Sequence, residues 1–219
     1  VAIVVVGGHT RNIGKTSLIA GLIAAMPEKH WTAIKITQFG HGVCSVNGEP
    51  CDCETPDHAI AISEERNPSS GTDTSRFLAA GAARVFWVRT RQGQLNEAMP
   101  RVRQLLAEAE NAIVESNSVL RFLQPDLSLS VLDPSVKDFK PSAVRYLDRV
   151  DALIVPEGAV SGELWDGVSR RVLEGKQRFG FSVPVYCSEE LVAFVQERLG
   201  TKKGPPGSAA LLSGGVMSI

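Results

Sequence analysis

The stretch VAIVVVGGHTRNIGKTSL, residues 1–18, decides how the chain is read. Val1 to Val6 is an unbroken apolar run, mostly β-branched, the pattern of a strand buried on both faces. Gly7 and Gly8 stop it, a short polar loop runs from His9 to Ile13, and Gly14-Lys15-Thr16 opens a helix. That helix is expected to bury Leu18, Ile19, Leu22, Ile23 and Met26, which recur at helical spacing, and to end at Pro27. Strand, glycine-rich loop, Gly-Lys-Thr and helix together are the context of a phosphate-binding loop. Backbone N–H groups across Gly8, Arg11, Asn12, Ile13, Gly14, Lys15, Thr16 and Ser17 would surround the anion, and the helix dipole adds positive potential. Lys15 would reach the outer phosphates of a nucleoside triphosphate, and the Thr16 hydroxyl would ligate Mg²⁺. The loop is one residue longer than the usual motif if Gly8 is its first glycine; otherwise His9 holds that position. Arg11 reads equally as a second cation at the phosphates or as a solvated loop arginine.

The rest of the composition is consistent with one such domain. A chain of 219 residues can build one α/β core, and 43% apolar with 21% charged residues is a globular balance. A net charge of -1 gives no reason to expect nucleic acid as a partner. No apolar run approaches a membrane span, and the six-residue run at the start lacks the basic region of a signal peptide. A cytoplasmic protein is therefore expected, its four cysteines being thiols or metal ligands rather than disulfides.

Working onward, Trp31–Thr37 reads as a second strand, with Lys35 either at an edge or aimed at the phosphate site. Residues 38–71 show no period and are expected to form a long insertion carrying Cys and His. Thr72 or Asp73 caps a helix through Ala80, closed by Gly81, before a strand at 84–89. Asn96 is expected to cap the next helix, and strands are expected at 112–114 and 127–132. Pro141 opens a helix to about Arg149, followed by a strand at 152–155. A helix capped by Ser161 would carry Leu164, Val168 and Leu173. Val183–Tyr186 is expected as the last strand, and Ser188 as the cap of a last helix ending at Gly200. Strands alternate with helices nearly throughout, so a three-layer α/β sandwich of the P-loop NTPase type follows, with a mainly parallel sheet and helices on both faces. Its domain would span residues 1–200, with a flexible tail at 201–219.

Ligands in such sheets bind beyond the C-terminal strand ends, where Gly8, Glu115, Asp133 and Glu157 fall. A carboxylate there can hold Mg²⁺ beside the phosphate loop; Glu115 leads, Asp73 is second (or a plain helix cap) and Asp133 is a rival. Glu157 or the Cys187-Ser188-Glu189 turn is a candidate for contacting the base.

The segments GGHTRNIGKTS, AIKIT, TDTSRFLAAGA and AIVESNSVLRFLQPDLSL, taken in that order, resemble the molybdopterin-guanine dinucleotide biosynthesis protein B family. More broadly they resemble the signal-recognition, MinD and BioD class of P-loop proteins. The family's Gly-Lys-Thr, strand-end lysine, Asp-Ser/Thr-x-Arg…Ala-Gly-Ala segment and Val-Glu-Gly strand end fall here on Gly14, Lys15, Thr16, Lys35, Asp73, Thr74, Arg76, Gly81, Ala82, Val114 and Glu115. Ser116 replaces the glycine, the family's histidine-rich stretch is reduced to Gln38-Phe39-Gly40-His41, and residues 42–70 are an addition. The resemblance covers residues 1 to about 135. It implies a GTP- or ATP-binding, Mg²⁺-dependent hydrolase in which Lys15, Thr16 and Glu115 act on the phosphates. Such an enzyme would serve cofactor maturation, such as molybdenum cofactor guanylylation, with a maturation protein or a second copy of the chain as partner.

Two other functions fit the same residues. One is an ATP-dependent ligase or kinase of the dethiobiotin synthetase kind, the insertion closing over a small metabolite. The other is a nucleotide-gated metallochaperone. His41, Cys44, Cys51, Cys53 and His58 lie within eighteen positions, enough ligands for a closed tetrahedral Zn²⁺ site, although their spacing is not that of most zinc knuckles. The plain alternative is a loop with free thiols.

Overall fold

The structure, a computed structural model, describes residues 1–39, 60–159, 165 and 167–200. Eight strands form one sheet in the order β3-β4-β2-β5-β1-β6-β7-β8. β1 (Ala2–Gly8), β2 (Trp31–Phe39), β4 (Arg84–Arg91), β5 (Asn111–Glu115), β6 (Leu127–Val131), β7 (Ala152–Pro156) and β8 (Gln177–Phe181) run parallel. β3 (Ile60–Glu64) pairs antiparallel with β4 at the edge. The architecture is the expected three-layer α/β sandwich, a mainly parallel sheet between two helical layers.

Alternation along the strands divides the core. Val4 and Val6 point to one face, with Leu127, Leu129, Val131 and Ile154 beside them, under α1 (Lys15–Ala25), α2 (Asp73–Ala79) and α6 (Glu189–Gly200). Val5 points to the other, with Ile34, Val88 and Val114, under α3 (Leu95–Glu108). The five apolar positions expected on the first helix are all fully buried. Each contributes about 1.5–3 kcal/mol of transfer free energy, which holds α1, and the loop before it, against β1. A third cluster, around Leu147, Leu153, Trp165 and Leu173, covers the sheet near α4 (Pro141–Tyr146) and the single turn α5 (Arg170–Leu173).

Four expectations need correction. Residues 38–71 are not all loop: β2 runs on to Phe39, and Ile60–Glu64 is β3. Its isoleucines are only partly buried, as befits an edge strand, so its sequence carries no strong apolar signal. Asn96 does not cap α3; the helix starts one residue earlier, at Leu95, whose side chain is drawn into the core. The expected helix through Val168 shrinks to α5, Val168 lying outside it; Ser161 and Leu164 lie outside the described residues. The last strand is not Val183–Tyr186 but β8. Pro184, in a cis bond to Val183, offers no N–H to a ladder, and Val183 and Val185 point to solvent. β8 reads poorly as a strand because Gln177 and Arg178 are exposed and only Phe179 and Phe181 bury. The tail 201–219 also lies outside the described residues.

Candidate functional site

Strand order assembles the site. β5 enters the sheet between β1 and β2, so Glu115 is the register partner of Val6 on one side and of Lys35 on the other. The ends of β1, β5 and β2 therefore meet at the loop after β1. Gly7 is the residue that permits this closeness: a Cβ there would stand 2.1 Å from Asn117 Oδ1. Asn117 Oδ1 accepts from the Gly8 N–H at 2.9 Å, and its amide donates to the Gly8 carbonyl at 2.8 Å. One side chain thus satisfies both backbone groups of the first loop glycine.

The loop is anchored at its far side as well. His9 is wholly buried between Phe139 and Trp165, ring centroids 5.2 and 5.0 Å away. Its Nε2–H donates to the Val136 carbonyl at 3.3 Å, which leaves Nδ1 without a partner. Burial lowers its pKa, so at neutral pH the imidazole is an uncharged wedge. His9 is therefore a structural anchor, and Gly8, the last residue of β1, is the first loop glycine. The Thr10 hydroxyl donates to Asp138, and the Lys140 N–H donates to the His9 carbonyl at 2.8 Å. Asn12 and Gly14 both take positive φ, 57° and 92°. Gly14 leads into α1 with no side-chain cap and no acid in the first turn, which leaves the first N–H groups of the helix to an anion. The Tyr186 ring lies over Gly14, so close that a Cβ would overlap it at 1.8 Å.

The charged groups converge. Lys15 Nζ folds back onto the Thr10 carbonyl at 2.6 Å. Burial pushes its pKa down to about 8, with Glu115 the largest opposing influence. Lys35 Nζ reaches Asp73 at 2.6 Å and Glu115 at 3.1 Å, so it is aimed at the site and not at an open edge. The Thr16 hydroxyl lies between two carboxylates and can donate to Glu115, 3.4 Å away, or to Asp73. Burial would raise the Asp73 carboxyl, but Lys35 and then Thr16 bring it below its usual value. Burial is the largest single influence on the Lys35 ammonium and acts against it, but the charges and hydrogen bonds of Glu115 and Asp73 together outweigh it and raise its pKa. Asp73 is delivered by a knotted turn. The Glu65 carboxylate accepts from the Arg66 and Asn67 N–H groups and from the Ser70, Thr72 and Thr74 hydroxyls, while Thr72 caps α2.

Thr16, Asp73 and Glu115 offer hard oxygens around a cation that Lys35 already supplies, so the donor set fits Mg²⁺. Among the described residues no three His, Cys, Asp or Glu side chains form a metal cluster. A magnesium ion here would thus draw its remaining ligands from phosphate oxygens and water. His41, Cys44, Cys51, Cys53 and His58, the candidate Zn²⁺ ligands, lie outside the described residues.

Two cavities open from the loop. One, about 830 Å³, lies past β6–β8 and is lined by Asn12, Asp133, Glu157, Phe181, Val183 and Tyr186, among others. Asp133 therefore stands apart from Thr16; it accepts from the Ser135 N–H and hydroxyl. The Ser182 hydroxyl donates to Glu157 at 2.5 Å. Cys187 packs on α1 at Gly21, burial pushing its thiol up to about 11, and Ser188 accepts from the Leu191 N–H at the start of α6. Of the candidate base contacts, Glu157 lines this cavity, whereas Cys187 and Glu189 line a separate groove along α1. The second cavity, about 640 Å³, opens on the other side of Lys15, towards Glu115, Arg121 and α4. Ser17, the last of the expected loop residues, accepts from Arg76 at 2.9 Å. Arg11 is exposed at the mouth of the second cavity.

Asn117, Glu65, Tyr186 and Lys140 escaped the sequence reading. Only Asn117 left a trace there, two residues beyond the strand-end acid.

No helix among the described residues is long and apolar enough to cross a membrane. No family model and no curated protein matches the sequence. Two solved structures have a similar fold. One is the "apo" form of LpxK from Aquifex aeolicus in complex with ATP, at 19% identity and TM-score 0.46, covering 82% of this chain and 53% of that one. The other is HypB from Helicobacter pylori in complex with nickel, at 13% identity and TM-score 0.37, covering 71% of this chain and 64% of that one. The chain spans about half the length of the first and less than two thirds of the second.

Proposed function

We propose that the protein binds a nucleoside triphosphate with Mg²⁺ at residues 8–17 and acts on its terminal phosphoryl group. The observation that carries this is Lys15. A partly desolvated ammonium rests on a loop carbonyl, and the next residue, Thr16, carries its hydroxyl to Glu115. Loop and α1 N–H groups would hold the phosphates, and Lys15 and Arg11 would neutralise the charge that builds up during transfer. Thr16, with Glu115 and Asp73, would hold Mg²⁺, which supplies electrostatic stabilisation of the leaving oxygens when bound. Displacing Lys35 from one carboxylate would accompany that binding. The 830 Å³ cavity is large enough for the nucleoside, with Phe181 and Tyr186 as aromatic surface and Glu157 as an acceptor for base N–H groups.

Beyond phosphate chemistry, the finer reading is a GTPase or ATPase of cofactor maturation, such as molybdenum cofactor guanylylation. It rests on the resemblance of residues 1 to about 135. The ligase or kinase alternative draws support from the second cavity beside Lys15. Zinc in the segment 41–58, and with it a metallochaperone role, remains a proposal for elemental analysis of protein purified without added metal. The decisive experiment for the nucleotide site is calorimetric titration of Mg²⁺-ATP and Mg²⁺-GTP into the parent and Lys15→Ala. The variant should lose about a hundredfold in affinity. Equal affinity in Lys15→Ala overturns the proposal.

A further inference from the structure

The 640 Å³ cavity carries more positive charge than a nucleotide uses. Lys15 and Arg11 lie at the phosphate loop, and Arg121, Lys140 and Arg145 line the cavity beyond them. The acids in its wall, Asp73 and Glu115, are both engaged by Lys35. Among the described residues, no carboxylate lies within ion-pair distance of Arg11, Arg121, Lys140 or Arg145. Asp138, whose charge reaches Lys140, is bonded to the Thr10 hydroxyl. Burial, then the charge of Arg11, pushes the Lys140 ammonium down, as befits a cation held without a counter-ion.

Local structure brings these cations together and keeps them in place. Arg121 ends the 3-10 turn Ser118–Arg121 that follows β5, with its guanidinium 5.4 Å from the Phe122 ring centroid. Lys140 stands just before α4 and Arg145 lies in its last turn, and α4 packs on the turn Ser118–Arg121. Both elements are tied down from below, because Arg149 donates to the Leu120 and Leu123 carbonyls. Such a concave cluster of cations, without a carboxylate partner among the described residues and open to the phosphate loop, is suited to recognising anions.

We propose that this cavity binds a second substrate next to the nucleotide, a small metabolite bearing a carboxylate or phosphate group held by Arg121, Lys140 and Arg145. The proposal rests on the nucleotide reading only for the neighbouring ligand: the cations and the cavity are there in either case.

The test uses two probes, glutarate for the carboxylate class and glycerol 3-phosphate for the phosphate class. Each is titrated into the parent and into Arg121→Ala/Arg145→Ala, with and without saturating Mg²⁺ and a non-hydrolysable triphosphate. Circular dichroism melting confirms that the variant is folded. At least one probe should bind the nucleotide-loaded parent, and the double variant should bind it at least about tenfold more weakly. Nucleotide affinity should stay within about twofold, since neither side chain belongs to residues 8–17. Binding of one probe alone identifies the anion class. The proposal is overturned if neither probe binds at up to about 20 mM, if the double variant binds as the parent does, or if nucleotide displaces the probe. If the parent binds no nucleotide, the nucleotide reading falls, and the nucleotide-free titrations still decide the anion site by the same comparison.

Discussion

Lys15 should make nucleotide binding a proton-linked reaction. Burial brings its pKa down from 10.5 to about 8 in the free protein. Contact with two or three phosphate oxygens restores the charged form, so a triphosphate selects the protonated lysine. At pH 8 about half of the free protein must take up a proton on binding, and at pH 7 about a tenth. Above about pH 7.5 the terminal phosphate is fully ionised and contributes little to the pH dependence. Affinity should therefore fall about tenfold from pH 7 to pH 9, or roughly 1.4 kcal/mol. Calorimetry of Mg²⁺-triphosphate binding in Tris and in HEPES separates the two effects, since the difference in apparent enthalpy reads the number of protons taken up. Lys15→Met is the control, and it should bind weakly with no uptake. The same pKa predicts that the nucleotide-free protein gains stability as pH rises from about 8 to 10.5. The native state sheds the proton first there, so the unfolded state binds more protons. Uptake of less than about a tenth of a proton at pH 8, or equal uptake in Lys15→Met, would refute the reasoning.

Gly14→Ala should abolish triphosphate binding and lower stability, because its φ of 92° and the Tyr186 ring both exclude a Cβ. Adding Tyr186→Ala should recover part of the stability but little of the binding, which thermal melts and titrations check together. Asn117→Ala should cost about 1–3 kcal/mol in urea unfolding by orphaning both backbone groups of Gly8. A loss under about 0.5 kcal/mol would mean that water replaces the amide. Glu115→Gln keeps the shape but removes a charge from the oxygen cluster, and should raise the Mg²⁺ concentration needed for half-maximal triphosphate binding about tenfold or more. An unchanged Mg²⁺ requirement would shift the ligand role to Asp73.

The elements that were legible in the sequence are those whose causes are local. The run Val1–Val6, the glycines and Gly-Lys-Thr specify strand, loop and helix through side-chain alternation, backbone freedom and helical spacing, all within a few residues. Thr72, Pro141 and Ser188 likewise mark helix starts where they stand. Position in the sheet is a different kind of fact. Nothing between residues 31 and 115 states that β5 enters between β1 and β2, yet that insertion makes Lys35 the neighbour of Glu115 and brings Asn117 to Gly8. β3 and β8 escaped for a related reason. Edge strands bury one face or less, so their hydrogen bonds depend on a neighbour and not on an apolar pattern of their own. By sequence His9 is one of two candidates for the first position of the loop motif, and packing against Phe139 and Trp165 makes it an anchor instead. The sequence by itself determined that a glycine-bounded loop stands between a buried strand and a helix, because those preferences act over one turn of chain. Only the tertiary structure decided which distant charges surround that loop, because burial and strand order are settled by the whole core.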